Sequence, residues 1–187
     1  MSERGDAPQQ VTEADLVAIR EDLGRDARGV AGVGARCVCG RPLVVVTSPR
    51  LPNGSPFPTT FYLSSPPLTL ACSRLESAGY MAELATRLAE DPDLAAAYAR
   101  AHQDYLRRRS HVGEETGLGE VPEIAGISAG GMPNRVKCLH ALVGHSLAAG
   151  PGVNPIGDLA LAEIHRRGWW EPAHCSCRSP REGASNE

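Results

Sequence analysis

The densest group of reactive side chains lies at residues 130–150, GGMPNRVKCLHALVGHSLAAG. Pro133 is placed to open a helix there, and Gly130-Gly131 before it would leave backbone N–H groups free to meet an anion. Arg135 and Lys137 add positive charge beside that start. A small anionic ligand, contacted by Arg135, Lys137, His140 and His145, is therefore the first chemistry to expect. The stretch lacks the glycine spacing of a nucleotide-phosphate loop, so an ordinary proline-started helix is the plainer account.

Cys138, His140 and His145 also suggest a metal, but helix geometry restrains that reading. At about 100° per residue, Cys138 and His140 point about 200° apart. Cys138 and His145 share a side yet stand about 10 Å apart along the axis. Zinc–ligand bonds measure about 2.0–2.3 Å, so no two of the three clamp one ion while the helix stays regular. A second contributor is needed, and Cys37 and Cys39 at a strand turn are the obvious ones. Cys37, Cys39 and Cys138 form the expected metal set, with zinc or an iron–sulfur cluster as the implied cofactor. A further reading joins Cys37 and Cys39 to Cys175 and Cys177 as a zinc module of two Cys-x-Cys pairs.

As an enzyme, the chain would use Cys138 as nucleophile and His140 or His145 as base. Cys138 lies five residues past Pro133, so a helix starting there would lower its pKa little. No HExxH, Walker or serine-elbow motif is present. The plain alternatives are packing for Cys138 and satisfied structural roles for the histidines. Cys72 reads as core.

The elements that must position these groups follow from periodicity. Thr12 and Asp15 make a capping box before the stripe Leu16, Ile19 and Leu23, which Gly24 ends. Ala31, Val33, Ala35 and Cys37 alternate as a strand, Cys39-Gly40 makes a turn, and residues 43–47 read as a covered strand. Phe57, Thr59, Phe61 and Leu63 alternate again, with Pro56 and Pro58 suited only to an edge or a strand start. Leu68, Ala71, Cys72 and Leu75 mark a helix after Ser65. Met81, Leu84 and Leu88 mark another. A third begins at Asp91-Pro92 and closes on Arg107, Arg108 and Arg109, read as a solvated helix end. Residues 110–131 form a long glycine-rich connection, and long loops inside a domain are often functional. A helix from Pro133 to about Ala149 and another from Asn154-Pro155 to Gly168 complete the chain. Trp169-Trp170 would anchor its end on the core. The fold class is thus α+β: a three-strand antiparallel meander packed against about five to six helices in one domain. Residues 1–11 read as a disordered tail, 12–170 as that domain, and 171–187 as a polar tail.

The composition narrows the classes. A net charge of −3 makes no nucleic-acid footprint of the whole domain, and 42% hydrophobic residues over 187 can build a core without disulfides. No apolar run approaches the roughly 18 residues of a membrane helix, and MSERGDAPQQ has no signal-peptide core.

Several segments together carry a resemblance: LGRDARGV, RLPNGSPFPTTFYL, SRLESAG with EDPDLAAAYARAHQDYL, and GGMPNRVKCLHALVGHSLAAGPGVNPIGD, together with Cys37 near the end of the first strand. The chain resembles the actinobacterial domain-of-unknown-function family 501 over roughly residues 16–170. That resemblance implies a cytoplasmic, actinobacterial setting and no assigned activity. Genes of the family it resembles often neighbour those for a septum-formation initiator and an exopolyphosphatase-like enzyme. The lack of a strong catalytic motif and the long glycine-rich connection support a rival: a non-catalytic interaction protein with a protein partner, serving cell division or envelope growth. Cys175 and Cys177 lie outside the resembling segments.

Overall fold

Thr12 opens the first helix as its residues predict. Its hydroxyl accepts from the Asp15 N–H at 3.2 Å, and the Asp15 carboxylate accepts from the Thr12 N–H at 2.9 Å. This capping box starts α1 (Glu13–Leu23), and Gly24, at φ 67°, ends it in the left-handed region. The computed structural model describes residues 8–177. Residues 1–7 and 178–187 of the expected tails lie outside that range.

Three strands follow, β1 (Val30–Arg36), β2 (Pro42–Thr47) and β3 (Phe61–Leu63), antiparallel in the order β1-β2-β3. β2 is central and buried throughout. Strand alternation sends Val44 and Val46 into the main core and Val45 and Thr47 to the other face, beside Leu23 of α1. The expected third strand is shorter than the alternation from Phe57 suggested. Pro56 and Pro58 have no N–H to give a ladder, so pairing begins at Phe61.

Among the described residues six α-helices complete a single α+β domain: α1, α2 (Pro66–Ser77), α3 (Tyr80–Glu90), α4 (Pro92–Glu115), α5 (Leu139–Ala149) and α6 (Pro155–Arg166). α5 packs across the sheet and against α2 and α6. It comes so close that a Cβ on Gly144 would lie 2.7 Å from the Phe61 carbonyl oxygen, and one on Gly157 of α6 would lie 2.3 Å from the Leu142 oxygen.

Two helix boundaries differ from the periodicity reading. α4 does not close at Arg107–Arg109 but runs on to Glu115. Arg108 and Arg109 are buried, not a solvated end: Arg108 donates to Asp104 at 2.7 Å, and Arg109 donates to the carbonyls of Ile124 at 2.7 Å and of Ile127. Arg109 thereby straps the glycine-rich connection, which also holds a short 3-10 turn at Pro122–Ile124, to the helix. The second difference matters more. α5 begins at Leu139, not at Pro133. Gly130 and Gly131, at φ 68° and 95°, turn the chain so that the Lys137 N–H reaches back to the Gly130 carbonyl at 2.8 Å and the Arg135 N–H to Gly131 at 2.9 Å. The Lys137 N–H is thus committed to a turn and cannot make the i−4 bond a helix from Pro133 requires.

Candidate functional site

The late start of α5 changes what Cys138 can do. Cys138 is the cap residue, with extended backbone at φ −156° and ψ 110°, so the angular argument from a regular helix does not apply to it. Its Sγ lies 3.9 Å from His140 Nδ1. Glu76, from the last turn of α2, completes the group: its Oε1 sits 3.2 Å from His140 Nδ1 and accepts the Leu139 N–H at 2.7 Å, capping α5 across the helix–helix contact. The ligand atoms of Glu76, Cys138 and His140 all lie within 4.8 Å of one another, and all three residues are half-buried. The other ring nitrogen, Nε2, lies 3.1 Å from the Thr69 carbonyl oxygen and 3.3 Å from Ser73 Oγ. Thr69, Ser73 and Glu76 fall at i, i+4 and i+7 of α2, one face of the helix beside its apolar stripe.

The electrostatics follow from these contacts. The hydrogen bond with His140 lowers the Cys138 thiol pKa, assisted by the Ala141 N–H at the helix start and opposed by burial. Reciprocally, Cys138 raises the His140 pKa, with the charge of Glu76 adding to it and burial opposing. Burial pushes the neighbouring Cys72 thiol well above its ordinary range, as a core residue.

His145 is elsewhere. It is fully buried, with Nε2 3.0 Å from Asp104 Oδ2 and Nδ1 3.1 Å from Asn154 Nδ2, and it stacks on Phe61 with ring centroids 5.3 Å apart. It is a partner in a core network and does not share a wall with Cys138. Arg135 and Lys137 stand exposed on the turn before Cys138, lining a hollow of about 430 Å³ formed by residues 126–137.

A second constellation gathers at the β1–β2 hairpin. Cys37 and Cys39 sit in its turn, where the Cys37 N–H donates to the Arg41 carbonyl at 2.9 Å and Gly40 takes φ 87°. After α6, Trp170 is buried, and a turn between Glu171 and His174, closed by their side chains at 2.7 Å, sends the chain back to the hairpin. The sulfurs of Cys37, Cys39, Cys175 and Cys177 then lie within 4.8 Å of one another. The two Cys-x-Cys turns are built alike. The backbone N–H of Arg41 favours the Cys39 thiolate, and that of Cys177 favours the Cys175 thiolate. The Arg41 bond is the main reason the Cys39 thiol falls to about 7, while burial raises that of Cys177.

The expected metal set is thus divided. Cys37 and Cys39 join the chain end, and Cys138 joins Glu76 and His140. Glu76, Asp104 and Asn154 carry none of the motifs a sequence scan looks for. For Glu76 the available signal is the polar i, i+4, i+7 stripe on α2. No helix among the described residues is long and apolar enough to cross a membrane. The family described as protein of unknown function (DUF501) matches residues 33–162. No curated protein and no solved structure matches the chain significantly.

Proposed function

The chain belongs to the DUF501 family, whose description assigns no activity, and from that premise we propose that it is a zinc-binding protein. One zinc ion is held by Cys37, Cys39, Cys175 and Cys177. The observation that carries this reading is the convergence of four sulfurs within 4.8 Å, drawn from two chain segments about 140 residues apart by the numbering. Tetrahedral zinc with bonds of about 2.3 Å needs sulfurs about 3.8 Å apart, inside the 4.8 Å within which all four lie. Backbone N–H groups that donate to ligand sulfurs are the expected outer support of such a centre. Four thiolates packed together repel, and a divalent cation offsets that repulsion. All four positions are thiols, so the centre is closed and its work is structural: it ties the chain end to the hairpin. A cytoplasmic setting, where thiols stay reduced, would keep all four available as ligands.

The test is elemental analysis of untagged protein purified under reducing conditions, beside Cys39→Ser and Cys175→Ser. Each variant is expected to carry one equivalent of zinc fewer than the parent. Metal-free parent protein, or variants that keep the parent's full content, would overturn the reading. An absorption spectrum with iron–sulfur bands would replace zinc with a cluster on the same four ligands.

A further inference from the structure

We propose that Glu76, Cys138 and His140 form a second, open metal site, one that takes a divalent d-block ion such as zinc or cobalt and leaves its fourth position to water or to an anionic substrate atom. This proposal stands on residues that the four-cysteine centre does not use, so either can fail alone.

The argument begins with the imidazole. His140 Nε2 faces the Thr69 carbonyl, which only accepts, so Nε2 carries the hydrogen. In the neutral ring, Nδ1 then presents its lone pair to the Glu76 carboxylate oxygen at 3.2 Å and to the Cys138 sulfur at 3.9 Å. Three ligand atoms therefore lie within 4.8 Å of one another, with Nδ1 against both of the others. A proton on Nδ1 serves the two contacts that Nδ1 makes, whereas a cation also bridges the Glu76 oxygen to the Cys138 sulfur. The separations of 3.2 and 3.9 Å bracket the range of about 3.3–3.6 Å at which two ligands at tetrahedral angles on zinc stand for N, O and S donors.

The surroundings agree. Metal-bound histidines nearly always donate their second ring N–H to a carbonyl or carboxylate, and the Thr69 carbonyl takes that role. The carboxylate is itself oriented, by the Leu139 N–H at 2.7 Å. Glu76 is anchored on α2 and the other two ligands at the start of α5, so the packing of the two helices presets the site. His140 and Glu76 keep 27% and 24% of their side-chain surface open to solvent, which gives the fourth position access to water. Three protein ligands plus water is the arrangement of catalytic zinc, in which the bound water ionises near neutral pH.

The experiment is a cobalt titration of chelator-stripped, reduced, full-length protein, followed by absorption and by metal-to-protein ratio. Parent protein is expected to bind two equivalents, the second with a weaker thiolate-to-metal band because it has one sulfur. Glu76→Gln, Cys138→Ser and His140→Gln should each weaken the second equivalent by about 100-fold or more and leave the first in place. Glu76→Gln retains an oxygen for the Leu139 N–H, so its fold is maintained, and far-UV circular dichroism with retained first-site binding checks this. Cys175→Ser should show the reverse, losing the first equivalent and keeping the second. The proposal is overturned if parent protein takes up a single equivalent that Cys175→Ser abolishes, or if His140→Gln binds as much cobalt as the parent. Either result would assign the His140 contacts to a proton shared within a structural helix cap, and neither would touch the four-cysteine reading.

Discussion

Asn154 donates from Nδ2 to His145 Nδ1 at 3.1 Å, while its Oδ1 accepts the Gly157 N–H at 3.0 Å and caps α6. One buried amide therefore fixes both a helix start and a histidine tautomer. With Nδ1 accepting, His145 must donate from Nε2, and it does so to Asp104 at 3.0 Å. Asp104 also accepts from Arg108 at 2.7 Å. The network joins α4, α5 and α6 beneath β3.

Replacing Asn154 by alanine removes a cap, at about 0.5–2 kcal/mol, and strands a buried ring nitrogen, at about 1–3 kcal/mol. The expected cost is about 2–4 kcal/mol. Chemical denaturation with an unchanged m-value measures it, and a loss below about 1 kcal/mol would show that the amide is not the link described.

Acid should loosen this network. Burial lowers the His145 pKa below its ordinary 6.5, against the hydrogen bond it donates to Asp104, with the charges of Arg108 and Asp158 also acting on it. Burial raises the Asp104 pKa, but its bonds to His145 and Arg108 win and bring it to about 2 from an ordinary 3.8. For both groups the unfolded chain binds more protons, so stability rises with pH. The His145 contribution is complete above pH 6.5 and is lost as pH falls through its folded value. That of Asp104 is lost between about pH 4 and 2. His140, whose pKa is raised, acts in the opposite sense above pH 6.5. Denaturation of His140→Gln against pH isolates the effect, and stability that grows from pH 7 to pH 5 would contradict it.

If zinc holds the four cysteines as proposed, its removal frees the chain end. In reducing buffer with a strong chelator, a protease is expected to cut after Trp170 several-fold faster, because the segment is otherwise held by two cysteines on the hairpin. The melting temperature should fall by about 2–4 °C for each kcal/mol the metal contributes. Equal cleavage with and without chelator would count against a stapling role.

Gly157→Ala tests the approach of α6 to α5. The new Cβ would lie 2.3 Å from the Leu142 oxygen and 2.8 Å from the Ser146 Cβ. Backbone and packed side chain must move, at about 1–3 kcal/mol. A stable variant would mean that the two helices separate easily.

Much of the architecture was legible in local pattern. The capping box at Thr12, the β-branched apolar run at residues 43–47 and the stripe Leu68, Ala71, Cys72 and Leu75 are short-range signals, and each became the element it implies. The boundaries that failed were set by distant partners. Arg108 and Arg109 resemble a solvated helix end until Asp104 and the carbonyls of Ile124 and Ile127 are seen to hold them.

The sequence by itself determined which residue types were present: two Cys-x-Cys pairs, a Cys-x-His, and glycines before a helix. It also determined the α+β class, because periods of 2 and 3.6 are properties of the local chain. Only the tertiary structure decided which donors meet. A helix starting at Pro133 would place Cys138 and His140 on opposite sides, whereas the Gly130–Lys137 turn moves the start to Leu139 and lets them face one another. Glu76 reaches them only through the packing of α2 on α5, and Cys175 and Cys177 reach the hairpin only because Trp170 is buried in the core and the chain turns back after it. Ligation depends on separations of a few ångströms between residues far apart in the chain, and no periodicity in a sequence encodes those.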